Sequence, residues 1–212
     1  MSGIALNTVA AFQHRVNTFN ADYIAHWNAW LATQAATRPA FLGSTLRKWQ
    51  ACRPNRMRRV AAEAHHPPPY LENLIAASAH HVAALNTFDI ANIHALGNPI
   101  YVAALQQLWG ILEQLSYHGR ARGGLAGSVG ISKAVMLLTD GRVGPAFDRE
   151  VRNHLGLRKI ETPAQWLAAL VAVSNDIQAF EHAQHVVFGA AKPVAYAHLN
   201  NGRVYDMALG PR

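Results

Sequence analysis

Apolar residues recur every three or four positions along most of this chain, which is the spacing of the buried face of an α-helix. From Leu6 to about Ala36 the pattern predicts either one helix or two helices that meet near Asn20. Thr37-Arg38-Pro39 is predicted to end this first region, because a residue before proline disfavours the helical conformation. Alternating β-branched runs are scarce, so the chain is predicted to be all-α, or mostly helical.

Six further segments show the same spacing, and turn residues separate them. They are predicted at Leu46 to Cys52, about Tyr70 to Leu85, Pro99 to Tyr117, about Ile131 to Leu138, Asp148 to about Leu155, and from Thr162-Pro163 toward Phe180 or Val187. Gly156 is the predicted C-cap of the segment that begins at Asp148. In the tail, Asn200-Asn201-Gly202 predicts a small C-terminal hairpin between Val194-Ala195-Tyr196 and Val204-Tyr205.

A stiff, proline-rich connector divides the chain. His65-His66-Pro67-Pro68-Pro69 favours an extended conformation and is the predicted subdomain boundary. It separates an N-terminal helical region, residues 1–64, from a helical domain, residues 70–212. One compact domain overall is the alternative, because 212 residues suffice for one sizeable domain or two small ones.

Composition limits the class of protein. Half of the residues are apolar, which is enough for a well-buried core. No stretch approaches the roughly 20 apolar residues that span a bilayer, so no membrane partner is predicted. The N-terminus lacks the basic start and apolar core of a secretory signal, which predicts a cytoplasmic protein. Cys52 is the single cysteine, which excludes an intramolecular disulfide and a four-cysteine metal cluster within one chain.

The net charge of +7 and the pI of about 10 favour a polyanionic partner. Six basic residues lie between positions 47 and 59. This Arg-rich segment is suited to follow a DNA backbone, and its candidate phosphate contacts are Arg47, Lys48, Arg53 and Arg56. A solvated basic surface that maintains solubility explains the same charge equally well.

A glycine-bounded turn before Lys133 carries the strongest chemical signal. Residues 127–130 lead into a helix that contains Lys133, and Asp148 begins the following helix. An amine beside a carboxylate can act as a nucleophile while the carboxylate stabilises positive charge on its target. The alternative is structural: Asp148 is an ordinary N-cap and Lys133 is an exposed helix lysine.

These two segments together resemble the helix-hairpin-helix DNA glycosylases, and most closely their 8-oxoguanine glycosylase-like branch. The resemblance covers about Leu125 to Leu157 and is carried by Leu125, Gly127, Val129, Gly130, Lys133, Asp148, Val151 and Arg152. Compared with the family pattern, the chain has one extra residue between Gly130 and Lys133 and a slightly shorter interval from Lys133 to Asp148. The resemblance implies a glycosylase-like helical bundle that acts on damaged double-stranded DNA without a metal cluster.

The resemblance also implies a reaction. Lys133, as an uncharged amine, would attack the sugar C1′ of a flipped nucleotide, release the damaged base and form a Schiff base that promotes strand cleavage. Asp148 would stabilise the positive charge that develops on the sugar. Backbone amides at Gly127, Val129 and Gly130 would bind a DNA phosphate. Arg142, Arg149 and Arg152 would contact DNA, and a partly desolvated site near them would lower the proton affinity of Lys133. No cofactor is implied.

The histidines and tryptophans receive structural interpretations. His182 and His185 share a predicted helix face, but a third ligand at a signature spacing is missing, so no metal site is predicted. Trp49 lies among basic residues, yet it is predicted to pack in the core rather than against a base.

Two other classes of function remain open from the sequence. One is a non-catalytic helical protein that binds nucleic acid through its basic surface. The other is a protein-interaction subunit in which Lys133 and Asp148 are structural.

Overall fold

The helical prediction is confirmed. The computed structural model describes residues 3–5, 7–51, 71–115 and 125–210, and within these ranges the protein consists of α-helices, short 3₁₀ turns and loops, without a β-strand. The α-helices are α1 (Val9–Asn17), α2 (Ala21–Leu31), α3 (Arg38–Lys48), α4 (Leu71–Ala84), α5 (Pro99–Leu112), α6 (Ser128–Leu138), α7 (Arg149–Leu155), α8 (Pro163–Gln184), α9 (Phe188–Ala191) and α10 (Asn201–Leu209).

The first helical region is divided into two helices at Asn20. The Asn20 side chain accepts a hydrogen bond from the backbone N–H of Asp22 at 3.0 Å, so it is the N-cap of α2. The expectation that Thr37-Arg38-Pro39 ends the first helical region is wrong, because α2 already ends at Leu31 and Arg38, directly before Pro39, begins α3. Pro39 lies in the first turn of α3, where its missing N–H leaves no hydrogen bond unmade.

The predicted helix from Leu46 to Cys52 is also wrong in its extent. Helix α3 ends at Lys48, and Gln50 adopts the left-handed conformation with φ of +52°. The N–H of Ala51 then donates to the carbonyl of Leu46 at 2.9 Å, which closes the helix as a Schellman motif. Cys52, Arg53, Arg56 and the connector at residues 65–69 lie outside the described residues.

The later helix boundaries follow their local capping signals. Asp148, Gly156 and Thr162 cap α7 and α8 as predicted, with Gly156 in the left-handed conformation at φ of +64°. Helix α6 begins at Ser128, three residues before the predicted start, because Gly127 already has the extended N-cap conformation. In the described part of the chain, no helix is both long enough and apolar enough to span a bilayer.

The predicted C-terminal hairpin is wrong. Val194–Tyr196 form a 3₁₀ turn, and Asn201–Leu209 form α10. Every residue from 202 to 209 is buried, so the backbone polar groups of this segment need partners inside the protein. A helix satisfies most of them internally, whereas a two-stranded hairpin would bury unpaired edges.

Helices α6 and α10 form the centre of the molecule. Helix α6 packs against α3 and α5, and α10 packs against α1 and α7, while α4 and α8 pack on α5. Residues 130–138 of α6 are all buried, like the whole of α10 after its first residue. Because neither helix has a solvent-facing side, each polar side chain on them must be satisfied within the core.

At Gly202, helix α10 approaches the loop after α6 with backbone against backbone. A Cβ atom on Gly202 would lie 2.7 Å from the carbonyl oxygen of Gly141 and from the backbone nitrogen of Gly144. The N–H of Arg203 donates to the same Gly141 carbonyl at 3.0 Å. This contact fixes α10 against the loop that leads from α6 to α7.

Asp176 on α8 joins the N-terminal segment to α10. Its carboxylate accepts hydrogen bonds from the backbone N–H groups of Ile4 at 2.7 Å and Ala5 at 3.1 Å, and from the hydroxyl of Tyr205 at 2.6 Å. Burial raises the pKa of Tyr205 well above its ordinary value, and the charge of Asp176 raises it further.

We expect Tyr205→Phe to lower the free energy of unfolding by about 1.5–3 kcal/mol, because it removes a hydrogen bond to a charged acceptor. Urea denaturation measures this change. Tyr101→Phe is the matched control, since its hydroxyl pairs with Thr87 at an exposed position and its loss should change stability by less than about 1 kcal/mol. Equal effects of the two substitutions would contradict the role of Asp176.

The same substitution should alter the alkaline stability profile. The folded protein retains the Tyr205 proton at pH values at which the unfolded chain loses it, because folding raises this pKa above 10.0. The contribution of Tyr205 to the free energy of unfolding is therefore fully present below pH 10.0 and is lost as the pH rises through the raised pKa of the folded state. Denaturation measured across this range should show a smaller loss of stability for Tyr205→Phe than for the wild type.

Candidate functional site

Lys133 is buried near the middle of α6. Its side chain is 5% exposed, and its Nζ donates to the carbonyl of Trp49 at 3.2 Å. The same Nζ lies 5.5 Å from the ring centre of Tyr23 and 5.9 Å from that of Trp49, within the range of cation–π attraction. The alternative that Lys133 is an exposed helix lysine is therefore wrong.

Asp148 has the capping role that the structural alternative assigned to it. Its Oδ1 accepts a hydrogen bond from the backbone N–H of Val151 at 3.1 Å at the start of α7. Arg152 Nε donates to the backbone carbonyl of Asp148 at 3.2 Å. These contacts hold a half-buried carboxylate at a fixed helix terminus.

Lys133 and Asp148 line the same small pocket, although fifteen positions separate them in the chain. Its volume is about 10 Å³, and its walls are Phe19, Tyr23, Trp49, Lys133, Met136, Ala146, Asp148, Arg203 and Asp206. A cavity needs roughly 10–15 Å³ to hold a water molecule, so this pocket has room for one water at most. A nucleotide therefore cannot occupy the site in this conformation.

Helix α10 adds an ion pair that the sequence interpretation missed. Arg203 Nη1 and Asp206 Oδ2 are 2.6 Å apart, and the residues are 1% and 5% exposed. The other carboxylate oxygen of Asp206 accepts from the backbone N–H of Ala146 at 3.0 Å. The available signal was an arginine and an aspartate three positions apart in an apolar segment, which suits one face of a helix. The hairpin prediction concealed that spacing.

Aromatic rings enclose the Arg203 guanidinium. Its central carbon lies 4.9 Å from the ring centre of Phe19, 4.7 Å from that of Trp27 and 5.9 Å from that of Trp49. Arg203 Nε and Nη2 have no hydrogen-bond partner among the described residues. The faces of the aromatic rings stabilise this part of the guanidinium in place of hydrogen bonds. Burial lowers the pKa of Arg203, and Asp206 opposes that shift.

The charges around the pocket influence one another. Burial raises the pKa of Asp206, and Asp148 raises it further, whereas Arg203, the N–H of Ala146 and Lys133 lower it. Burial likewise raises the pKa of Tyr23, with smaller contributions in the same direction from Asp148 and Asp206. The pocket is thus a coupled set of two acids and two cations beside a phenol.

Ser132 connects the helix of Lys133 to the loop that ends at Asp148. Its Oγ donates to the carbonyl of Ser128 at 2.7 Å and accepts from the backbone N–H of Phe147 at 3.0 Å. The Asp206 carboxylate likewise accepts a hydrogen bond from the backbone N–H of the preceding residue, Ala146. These two contacts fix the chain immediately before Asp148 and thereby set its position relative to Lys133.

The predicted arginines near the amine are not in the pocket wall. Arg149 is exposed, Arg152 is half-buried, and Arg142 lines a different cleft. Arg203 is the cation that occupies the position expected for them, because the loop before α7 packs against α10 rather than turning its own arginines inward.

The remaining predicted DNA contacts differ in their access to solvent. Gly127 is exposed and Val129 is half-buried at the start of α6, whereas Gly130 is buried. Arg47 and Lys48 are exposed at the end of α3. At this turn, the backbone of Gly127 is therefore accessible to DNA, whereas the backbone of Gly130 is not.

Trp49 is 2% exposed and stacks on Tyr23 with ring centres 5.4 Å apart, which confirms that it packs in the core. His182 lies in the last turn of α8 and His185 is the C-cap of that helix, with ring centres 6.5 Å apart. Within residues 3–5, 7–51, 71–115 and 125–210, no group of three or more histidine, cysteine or acidic side chains is placed to hold a metal ion.

Comparison of the chain with protein-family models, with curated proteins and with solved structures finds no match. The resemblance to the helix-hairpin-helix glycosylases thus depends on the residues between Leu125 and Leu157 and stays a prediction.

Breaking the buried ion pair should destabilise the protein strongly. We expect Arg203→Met or Asp206→Asn to lower the free energy of unfolding by about 3–5 kcal/mol, because each leaves one charged or polar partner without its counterpart in the core. The double variant should lose less than the sum of the two single variants. Urea denaturation of the three variants measures the coupling.

The exposed pair Lys159–Glu161 is the control for this double-mutant cycle. Lys159→Met and Glu161→Gln should each change stability by less than about 1 kcal/mol, because solvent screens the pair. Strictly additive losses at Arg203 and Asp206 would show that the two residues do not act as a unit.

Proposed function

We propose that this chain is a DNA repair protein of the glycosylase and abasic-site lyase type, which acts on damaged bases in double-stranded DNA. Lys133 is its amine nucleophile and Asp148 its carboxylate partner. The observation that supports the proposal is that both side chains, placed on different helices, line one pocket. Perturbed and mutually coupled ionisable groups in one cavity are characteristic of functional sites.

The proposed reaction uses the amine directly. Uncharged Lys133 attacks C1′ of the flipped nucleotide, and the bond between C1′ and the base breaks with its electron pair on the departing base, which takes up a proton. Opening of the sugar ring gives an iminium between Nζ and C1′. Loss of the C2′ proton then expels the 3′ phosphate by β-elimination, and water releases the lysine. Asp148 stabilises the positive charge on the sugar during the first step.

The proposal requires the aromatic cover of the pocket to move. Tyr23 and Trp49 are stacked over the amine at an interplanar angle of 25°, and Trp49 Nε1 donates to His26 Nδ1 at 3.3 Å. A flipped nucleotide reaches Nζ only after these rings separate. Enzymes commonly complete their sites through such substrate-dependent movements.

Opening also changes the environment of the amine. In the closed pocket, the ring faces of Tyr23 and Trp49 and the nearby carboxylate of Asp206 all favour a positively charged Lys133. A protonated amine is not a nucleophile. Burial opposes these contacts by disfavouring the charged amine, and the proposed reaction requires the uncharged form once the rings have moved aside.

A second candidate function is non-catalytic binding of nucleic acid through the basic surface. The burial of Lys133 favours it, because a surface-binding protein needs no access to this amine. Arg47 and Lys48 lie exposed directly before Trp49 and are the cations that would meet the phosphate backbone.

Borohydride trapping distinguishes the two candidates. The wild-type protein should form a covalent adduct with duplex DNA that contains an abasic site or an oxidised purine, because borohydride reduces the iminium to a stable amine. Lys133→Gln should form no adduct, and Asp148→Asn should form it about 100- to 1,000-fold more slowly, since it loses the charge that stabilises the sugar cation. Denaturing gel electrophoresis measures the adduct.

Lys159→Gln is the matched control, because it removes an exposed lysine whose partner, Glu161, is also exposed. Circular dichroism establishes that each variant is folded. Binding without an adduct in the wild type would support the second candidate, and an adduct that persists in Lys133→Gln would overturn the assignment of Lys133. Absence of both binding and adduct would overturn both candidates.

The basic surface has its own test. The double variant Arg47→Gln/Lys48→Gln should weaken DNA binding and reduce the slope of log affinity against log salt by about 1.8, because each neutralised phosphate contributes about 0.9. Fluorescence anisotropy at several salt concentrations measures the slope. The control Arg158→Gln/Lys159→Gln makes the same change in net charge at another exposed site. If the two double variants behave alike, only net charge matters and α3 is not the contact.

A further inference from the structure

A second, larger cleft lies apart from the pocket of Lys133. Its volume is about 190 Å³, and none of its lining residues belongs to the Lys133 pocket. The lining residues are Asn86, Thr87, Phe88, Asp89, Arg142, Lys192, Asn200 and Asn201. Typical drug-sized ligands occupy roughly 300–1,000 Å³, so this cleft suits a small polar group.

Lys192 contributes a cation without a carboxylate partner. Its Nζ donates to the carbonyl of Leu199 at 2.7 Å, and no acidic oxygen within the described residues lies in ion-pair distance of it. An ammonium group has three donors, so two remain available. Partial burial lowers the pKa of Lys192 and Asp89 opposes that shift, which is the condition of a cation that lacks a close counter-ion.

Arg142 contributes a second cation, whose only carboxylate neighbour among the described residues forms a long ion pair with it. Its Nη1 donates to the carbonyl of Thr139 at 3.0 Å, while the nearest carboxylate, that of Asp140, is 3.9 Å away. This separation exceeds the roughly 2.7–2.9 Å of a charge-assisted hydrogen bond. Most of the guanidinium donors are thus free to meet another acceptor.

The one acidic residue in the wall, Asp89, is already satisfied. Its Oδ1 and Oδ2 each accept from the Asn201 amide at 2.9 Å, and Oδ1 also accepts from the backbone N–H of Ala91 at 3.0 Å. Two cations and one acid leave a lining charge of +1. Since the acid is engaged by neutral donors, it does not neutralise either cation by direct contact.

We propose that this cleft binds a phosphate group between Arg142 and Lys192. A guanidinium fork together with an ammonium matches the several oxygens and the negative charge of a phosphate better than it matches a single carboxylate. The phosphate belongs either to a DNA backbone or to a free phosphate or mononucleotide. This binding site does not depend on the reaction proposed for Lys133.

The location of the cleft connects it to the rest of the molecule. Arg142 lies in the loop that leads from α6 to Asp148, and the neighbouring Gly141 carbonyl accepts from the N–H of Arg203. Asn200 holds the same loop through a hydrogen bond to the Asp140 carbonyl at 2.8 Å. A phosphate in the cleft therefore contacts the loop that positions the candidate catalytic carboxylate.

Calorimetric titration of the full chain with inorganic phosphate, and separately with an undamaged DNA duplex, tests the inference. Lys192→Gln and Arg142→Gln should each weaken binding about tenfold or more, because each removes a charge-assisted contact. Lys192→Arg should retain binding, since it keeps the charge. Lys159→Gln is the matched control for loss of one positive charge and should have little effect.

The two titrants distinguish the sources of phosphate. If the two variants bind inorganic phosphate more weakly than the wild type does, the natural ligand is a free phosphate or mononucleotide. If they bind only the duplex more weakly, the ligand is a backbone phosphate. If neither titrant responds to Lys192→Gln or Arg142→Gln, the inference is overturned. For variants that do not fold, phosphate-induced shifts of the wild-type amide resonances decide: changes at residues 86–89 and 200–201 support the cleft, and their absence overturns it.

Discussion

The buried ion pair between Arg203 and Asp206 is the interaction on which the arrangement of the site depends. Its guanidinium is covered by the rings of Phe19 before α2, Trp27 in α2 and Trp49 after α3. Its carboxylate holds the loop before α7 through Ala146. Neither charge can be left alone in the core without a large loss of stability. The pair therefore makes the N-terminal helices, α10 and the α6–α7 loop adopt one mutual geometry, and the pocket of Lys133 lies where they meet.

Most of the fold was predictable because its signals are local. Asn20, Asp148, Gly156 and Thr162 begin or end helices through contacts with residues two to four positions away, and such contacts can be inferred from sequence. The tail was not predictable in this way. A helix buried on all sides has no apolar stripe. The Asn-Gly turn signal at the start of α10 outweighed a spacing that only tertiary packing makes meaningful.

In the candidate site, too, local features were predictable from the sequence and contacts between distant segments were not. The sequence indicated that Lys133 and Asp148 belong together, and the structure places them in one pocket despite the extra residue before the lysine. The sequence did not indicate that aromatic rings would cover the Lys133 amine. That cover comes from Trp49, 84 positions away, and the loop before Asp148 is held by Asp206, 60 positions from Ala146. Contacts across such distances depend on how helices pack, which no single segment specifies.

The ring pair of Tyr23 and Trp49 has a consequence for chemical selectivity. A primary amine that is open to water condenses with sugars and small aldehydes and is readily acylated. Lys133 is shielded from such reagents by two aromatic faces, whereas Lys48 and Lys159 are exposed to them. In the closed conformation, the fold thus shields one of its four lysines from small carbonyl compounds in solution.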